Sequence, residues 1–187
     1  MEAALRTLAE CPPEMGFSYP ANAGWRLWAL GRGGRADVIV QDYRERWAIM
    51  ESVIQNNTLQ EHWHAKPDSD MEWSHCPYAP LFVTTMTLAG INPLVPGYKR
   101  CEVRPQLADL DLLELTVFSV QGPIGFKCRG KLGSRDLTLA LPGGCEGELV
   151  VNAKETLSLE PIGRAVNGVA RYRLPAGKTV SVQLKFT

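Results

Sequence analysis

Apolar residues recur at helical spacing through the first half of this chain and at alternate positions through much of the second, with the change of character near Asn92–Gly97. Glu2–Leu8 predicts a short helix that Cys11-Pro12-Pro13 stops, because proline lacks the backbone donor and its ring clashes with the preceding turn. Ala21–Leu30 predicts a second helix carrying Trp25, Leu27, Trp28 and Leu30. Gly31-Arg32-Gly33-Gly34 closes it, since glycine accepts left-handed C-cap geometry. Ala36–Ile54 predicts a longer helix in which Val38, Ile39, Tyr43, Trp47, Met50 and Ile54 form one stripe. Asn56-Asn57 turns the chain. Tyr78–Ala89 is apolar almost all round, the pattern of a helix buried among others.

Strands follow. Thr179–Phe186 alternates cleanly, with Val180, Val182, Leu184 and Phe186 on one face and Thr179, Ser181, Gln183 and Lys185 on the other. Leu113–Val120, Ile124–Gly130, Leu137–Leu141, Glu148–Val151, Thr156–Leu159 and Val169–Leu174 are further candidates. Turn signals separate them: Gln121-Gly122-Pro123, Leu132-Gly133-Ser134, Pro142-Gly143-Gly144 and Pro175-Ala176-Gly177. Short strands with frequent turns predict an antiparallel sandwich. The fold class expected is a two-part α+β chain, helical over 1–98 and a β-sandwich over 99–187.

Composition narrows the function classes. The chain has 187 residues, 45% hydrophobic and 21% charged. That length lets a folded chain bury roughly 70% of its extended surface, so a real core is expected. Lys plus Arg balances Asp plus Glu, 20 against 20, which gives no electrostatic reason to expect nucleic acid or an anionic membrane as partner. The five cysteines (Cys11, Cys76, Cys101, Cys128 and Cys145) are odd in number, widely spaced and contain no Cys-x-x-Cys. They read as reduced thiols. The segment Met1-Glu2-Ala3-Ala4-Leu5-Arg6 has no signal-like apolar stretch, and no apolar run approaches the ~18 residues of a spanning helix. A cytoplasmic setting is the expectation.

Candidate chemistry concentrates in three segments: Thr58-Leu59-Gln60-Glu61-His62-Trp63, Ser74-His75-Cys76-Pro77-Tyr78-Ala79-Pro80, and Ala89-Gly90-Ile91-Asn92-Pro93-Leu94-Val95-Pro96-Gly97-Tyr98. Read as isolated residues they are ordinary. Glu61 is a loop acid, Ser74 an N-cap, and Trp63 and Trp73 packing residues. His62, His64 and His75 lie close in sequence with Glu61 and Glu72, and a His-x-His on a strand would put both rings on one face. No fourth ligand or outer shell can be named, so no metal or cofactor is assigned. Gly31-x-Gly33-Gly34 follows a helix and lacks the Gly-Lys-Ser/Thr ending, so it is no phosphate loop. Arg26, Arg32, Arg35, Arg44 and Arg46 read as solvated helix faces.

Taken in order, the segments resemble the C-terminal part of bacterial α-L-rhamnosidases, within the six-hairpin (α/α)6-barrel glycosidases. Trp47 and Met50 match the end of a barrel helix. Thr58 and Glu61 match the next motif, with Gln60 where many relatives have Trp. Ser74-His75, then Gly90-Ile91, Pro93 and Pro96-Gly97-Tyr98, match the two after it. Glu102-Val103-Arg104-Pro105 and Gly122-Pro123-Ile124 extend the likeness into the β-rich tail.

The resemblance implies that 1–98 is the end of an (α/α)6 barrel and 99–187 its terminal sandwich. It implies an inverting mechanism on terminal α-L-rhamnose, with two carboxyl groups roughly 6.5–9.5 Å apart. Glu61 would be the general base, His75 a hydrogen-bond partner of a sugar hydroxyl, and Trp63 an apolar wall. The family's general acid belongs to an acidic segment near the start of the barrel, and nothing here matches it. The expectation is therefore a hydrolase fragment, inactive alone, that forms a homo-oligomer through its helical half. The competing reading is a non-catalytic carbohydrate-binding or structural β-sandwich module with a helical docking arm.

Overall fold

The structure is a computed structural model that describes residues 2–65 and 77–186. The chain divides into two compact units, Met1–Thr84 and Thr85–Thr187. The change of sequence character near Asn92–Gly97 lies inside the second. A helical region thus precedes a β-sandwich, the two-part α+β architecture expected from the pattern.

In the helical unit, α1 (Glu2–Glu10) and α2 (Pro20–Arg32) are followed by α3 (Ala36–Asp42), which runs into a π-helical turn at Tyr43–Trp47. After α4 (Glu51–Asn56), Asn57 takes left-handed geometry and turns the chain, as its sequence predicts. The stripe over Ala36–Ile54 is therefore not one helix. Met50 is extended, with ψ near 138°, and caps α4. Ile39, Trp47 and Met50 are buried, but Ile54 is exposed, because the break turns it away from the face that the stripe implies.

The helix at Tyr78–Ala89 is present as α5 (Ala79–Val83) and a π-helical turn at Thr84–Leu88. It packs against α2, where Gly24 permits close approach. A Cβ there would lie 2.8 Å from Ala79 and from the Phe82 ring. Burial all round is not observed: Ala79, Val83 and Leu88 are buried, whereas Leu81 is 71% exposed. The Tyr43 hydroxyl donates to the Pro80 carbonyl at 3.1 Å and lies 3.3 Å from Thr84 Oγ1, fastening the first π turn to this helix.

In the second unit one sheet orders β1 (Ile91–Pro93), β2 (Arg100–Val103), β6 (Glu146–Asn152) and β8 (Val169–Leu174). The other orders β3 (Leu112–Ser119), β4 (Gly122–Lys131), β5 (Ser134–Ala140), β9 (Thr179–Phe186) and β7 (Glu155–Thr156). Every strand pairing is antiparallel except β2 with β6. The core mixes both sheets, with Ile91, Val103, Leu149 and Leu174 from one and Ile124, Phe126, Leu137, Leu139 and Leu184 from the other. Among the described residues no helix is long and apolar enough to cross a membrane.

Candidate active-site loop

Glu61 lies in a bend between α4 and the undescribed segment 66–76, and it is half-buried. Its position is set by Gln60, which is 1% exposed. Gln60 Oε1 accepts the Ser52 backbone N–H at 3.0 Å, satisfying a donor of the first turn of α4. Its Nε2 donates to the carbonyls of His62 at 2.8 Å and Trp63 at 3.2 Å. One amide therefore brackets Glu61 from both sides. Ser52 Oγ adds a bond to the Thr58 carbonyl at 2.9 Å.

Trp63 fixes the far end of the loop. Its indole N–H donates to the Ser18 carbonyl at 2.8 Å, and its ring meets Trp47 edge-on at 5.1 Å. Trp47 in turn donates its N–H to Asp42 Oδ2 at 3.3 Å. Asp42 is 5% exposed and also accepts from Arg26 at 3.3 Å and Arg46 at 3.1 Å. Arg26 Nε reaches the Leu8 carbonyl at 2.8 Å. The Phe17 ring lies under both guanidinium groups, 3.6 Å from Arg46 and 5.0 Å from Arg26. This arginine–aspartate–tryptophan chain ties α1, α2, α3 and the 17–19 loop to the segment carrying Glu61.

The network corrects the reading of Arg26 and Arg46 as solvated cations. Arg26 is only 11% exposed and both belong to it. Arg35 does pair at the surface, with Asp37. Asp42 and Gln60 were missed. Asp42 carried a signal: an acid three residues after Ile39 falls on the buried side of the stripe, where an unpaired charge is not tolerated.

His62 and His64 lie in bends and turns rather than on a strand, so the His-x-His geometry considered for a metal does not arise. His62 packs edge-on against Tyr19 at 4.5 Å. Among the described residues no group of three or more His, Cys, Asp or Glu is placed to hold a metal ion. Glu72, Trp73, Ser74, His75 and Cys76 lie outside the described residues. Cys11, Cys101, Cys128 and Cys145 are free thiols. Burial pushes the Cys101 thiol up to about 12 and that of Cys128 up to about 11.

Comparison with known proteins adds a family match and a likeness of fold. Residues 90–163 match the bacterial alpha-L-rhamnosidase C-terminal domain. Residues 90–163 are thus related to that domain, and a helical part precedes them. The Streptomyces avermitilis alpha-L-rhamnosidase, solved with L-rhamnose, is 18% identical with a TM-score of 0.58, over 97% of this chain and 21% of that one. The family GH78 rhamnosidase of Bacillus sp. GL1 is 24% identical with a TM-score of 0.61, over 80% of this chain and 18% of its own. The Aspergillus terreus enzyme is 15% identical with a TM-score of 0.56, over 95% and 22%. At these identities the likeness is one of fold. The chain spans about a fifth of the length of these relatives. No curated protein matches it.

Proposed function

We infer that this chain supplies the general-base side of an inverting α-L-rhamnosidase active site. Glu61, ionised, accepts a proton from the water that attacks the anomeric carbon. The leaving oxygen takes its proton from a second carboxylic acid, which this chain does not supply. His75 hydrogen-bonds a rhamnose hydroxyl, and Trp63 offers its ring to the C–H face of the sugar. The substrate class is a glycoside ending in α-L-rhamnose, as the L-rhamnose bound by the Streptomyces relative suggests. The helical part stands for the last helices of a barrel, and the free thiols of Cys11, Cys101, Cys128 and Cys145 fit a reducing, cytoplasmic setting.

The observation that carries this reading is the bracketing of Glu61 by the buried Gln60. A loop acid with no task needs no such support. A catalytic carboxylate does, because small misplacements cost rate steeply.

The exposed rings of Trp25, Trp28 and Tyr78, with Phe82 6.2 Å from Trp25 and 5.6 Å from Tyr78 between centroids, support self-association through the helical half. With the acid absent, the purified chain should release no para-nitrophenol from para-nitrophenyl α-L-rhamnoside above background. Turnover by the chain, abolished in Glu61→Gln, would overturn the claim that it lacks the acid.

A further inference from the structure

The outer face of the four-stranded sheet holds a cleft of about 480 Å³ that no catalytic reading uses. Strand alternation builds it. Along β6, Leu149 and Val151 enter the core, so Glu146 and Glu148 face outward. Arg100 comes from β2, Arg173 from β8, and Ile162, Pro175 and Ala176 supply an apolar wall.

Apart from Glu146, the acids and bases on this face are paired with one another. Glu148 accepts from Arg100 at 2.5 Å and from Arg171 at 3.2 Å. Arg171 also holds Glu102 at 3.1 Å. Arg173 lies 3.7 Å from Glu160, too long for a hydrogen bond, which leaves its donors for another acceptor. Glu146 is exposed at the cleft. An anion entering here meets Glu146 and Glu148. A cation meets Arg100 and Arg173. A zwitterion would have to seat its carboxylate on arginines that already have acidic partners. The group that suits rigid donors beside rigid acceptors is the hydroxyl, which donates and accepts at once. Apolar residues alongside suit the C–H face of a ring, and the volume falls in the range of small-ligand sites, about 300–1,000 Å³.

We propose that this cleft binds a neutral saccharide of mono- to disaccharide size through its hydroxyls, independently of Glu61. The site lies wholly within the sandwich and does not rest on the catalytic reading. It would serve to hold glycan rather than to cleave it.

The test is an NMR titration of the whole chain with a panel of neutral mono- and disaccharides that includes L-rhamnose. Amides of Glu146–Glu148 and Arg173–Ala176 are the readout, with acetate and glycine as charged controls. At least one neutral sugar should shift these amides saturably. Arg173→Met and Glu146→Gln, both at exposed side chains, should each weaken that binding about tenfold, the loss of one charge-assisted hydrogen bond. Glu61→Gln should leave it unchanged. The spectra themselves report that each variant is folded. No response to any neutral sugar overturns the proposal, as does a response to the charged controls alone or one that both cleft variants retain. Shifts confined to the Glu61 loop would support the catalytic reading while refuting this one.

Discussion

Gln60 and Asp42 show how two buried polar side chains hold a loop in place. Replacing Gln60 with Leu leaves the Ser52 N–H and two loop carbonyls without their partner. An unsatisfied buried group costs about 1–3 kcal/mol, so urea unfolding of Gln60→Leu should show a loss of that size. Asp42→Ala strands the guanidinium of Arg26 beside Trp47. Breaking a buried pair costs about 3–5 kcal/mol, and the same measurement should read a loss toward that range. Asp37→Ala is the control. Arg35 holds the Asp37 carboxyl below its usual range, but the pair is exposed and should be worth at most about 1 kcal/mol. Sequence reading isolated Glu61 from its context yet missed what positions it. The partners of Gln60 are backbone atoms, which leave no trace in residue type. Arg26 meets Asp42 across sixteen positions and two helices.

At the level of elements, the strands were the most legible part. Val169–Leu174 and Thr179–Phe186 stand where alternation puts them, because one face of each meets the core. Strands β1 and β2 were not foreseen. They are three and four residues long, too short for alternation to register, and β1 ends on Pro93. The third helix was overextended because periodicity cannot register an extended residue such as Met50. At Gly90 the backbone leaves no room for a side chain. Its φ is +72°, and a Cβ there would fall 2.0 Å from the Arg104 carbonyl oxygen, which is backbone and cannot step aside. Gly90→Ala should destabilise the sandwich by more than about 2 kcal/mol in chemical denaturation.

The core thiols give the sandwich a pH dependence. With folded values near 12 for Cys101 and 11 for Cys128 against an ordinary 9.0, the folded state keeps its protons where the unfolded chain loses them. Stability from these groups is full below pH 9 and is lost as pH rises through the folded values. The urea midpoint should fall over that window, and Cys128→Val should make the fall shallower. A midpoint that rises or stays level would contradict the assigned burial.

For the molecule as a whole, the sequence disclosed a two-part architecture and a rhamnosidase likeness, and both stand in the fold and in the match over residues 90–163. The charged cleft stayed hidden because Arg100, Glu148 and Arg173 come from three strands that are distant in sequence. Trp25 is 62% exposed and Leu81 71%, and a patch of this kind favours burial against another copy. Light scattering should report a dimer or larger species that Trp25→Ser with Leu81→Ser shifts toward monomer. A clean monomer of the unaltered chain at high concentration would count against it.

The central claim concerns the carboxylate of Glu61, and an intact relative tests it most directly. In the Streptomyces avermitilis alpha-L-rhamnosidase, the residue that superposes on Glu61 should be a glutamate. Its replacement by glutamine should lower kcat on an aryl α-L-rhamnoside by about 10²–10⁴-fold with KM little changed, as removal of a general base requires. A kcat equal to that of the unaltered enzyme, or the absence of any carboxylate at that place, would contradict the account.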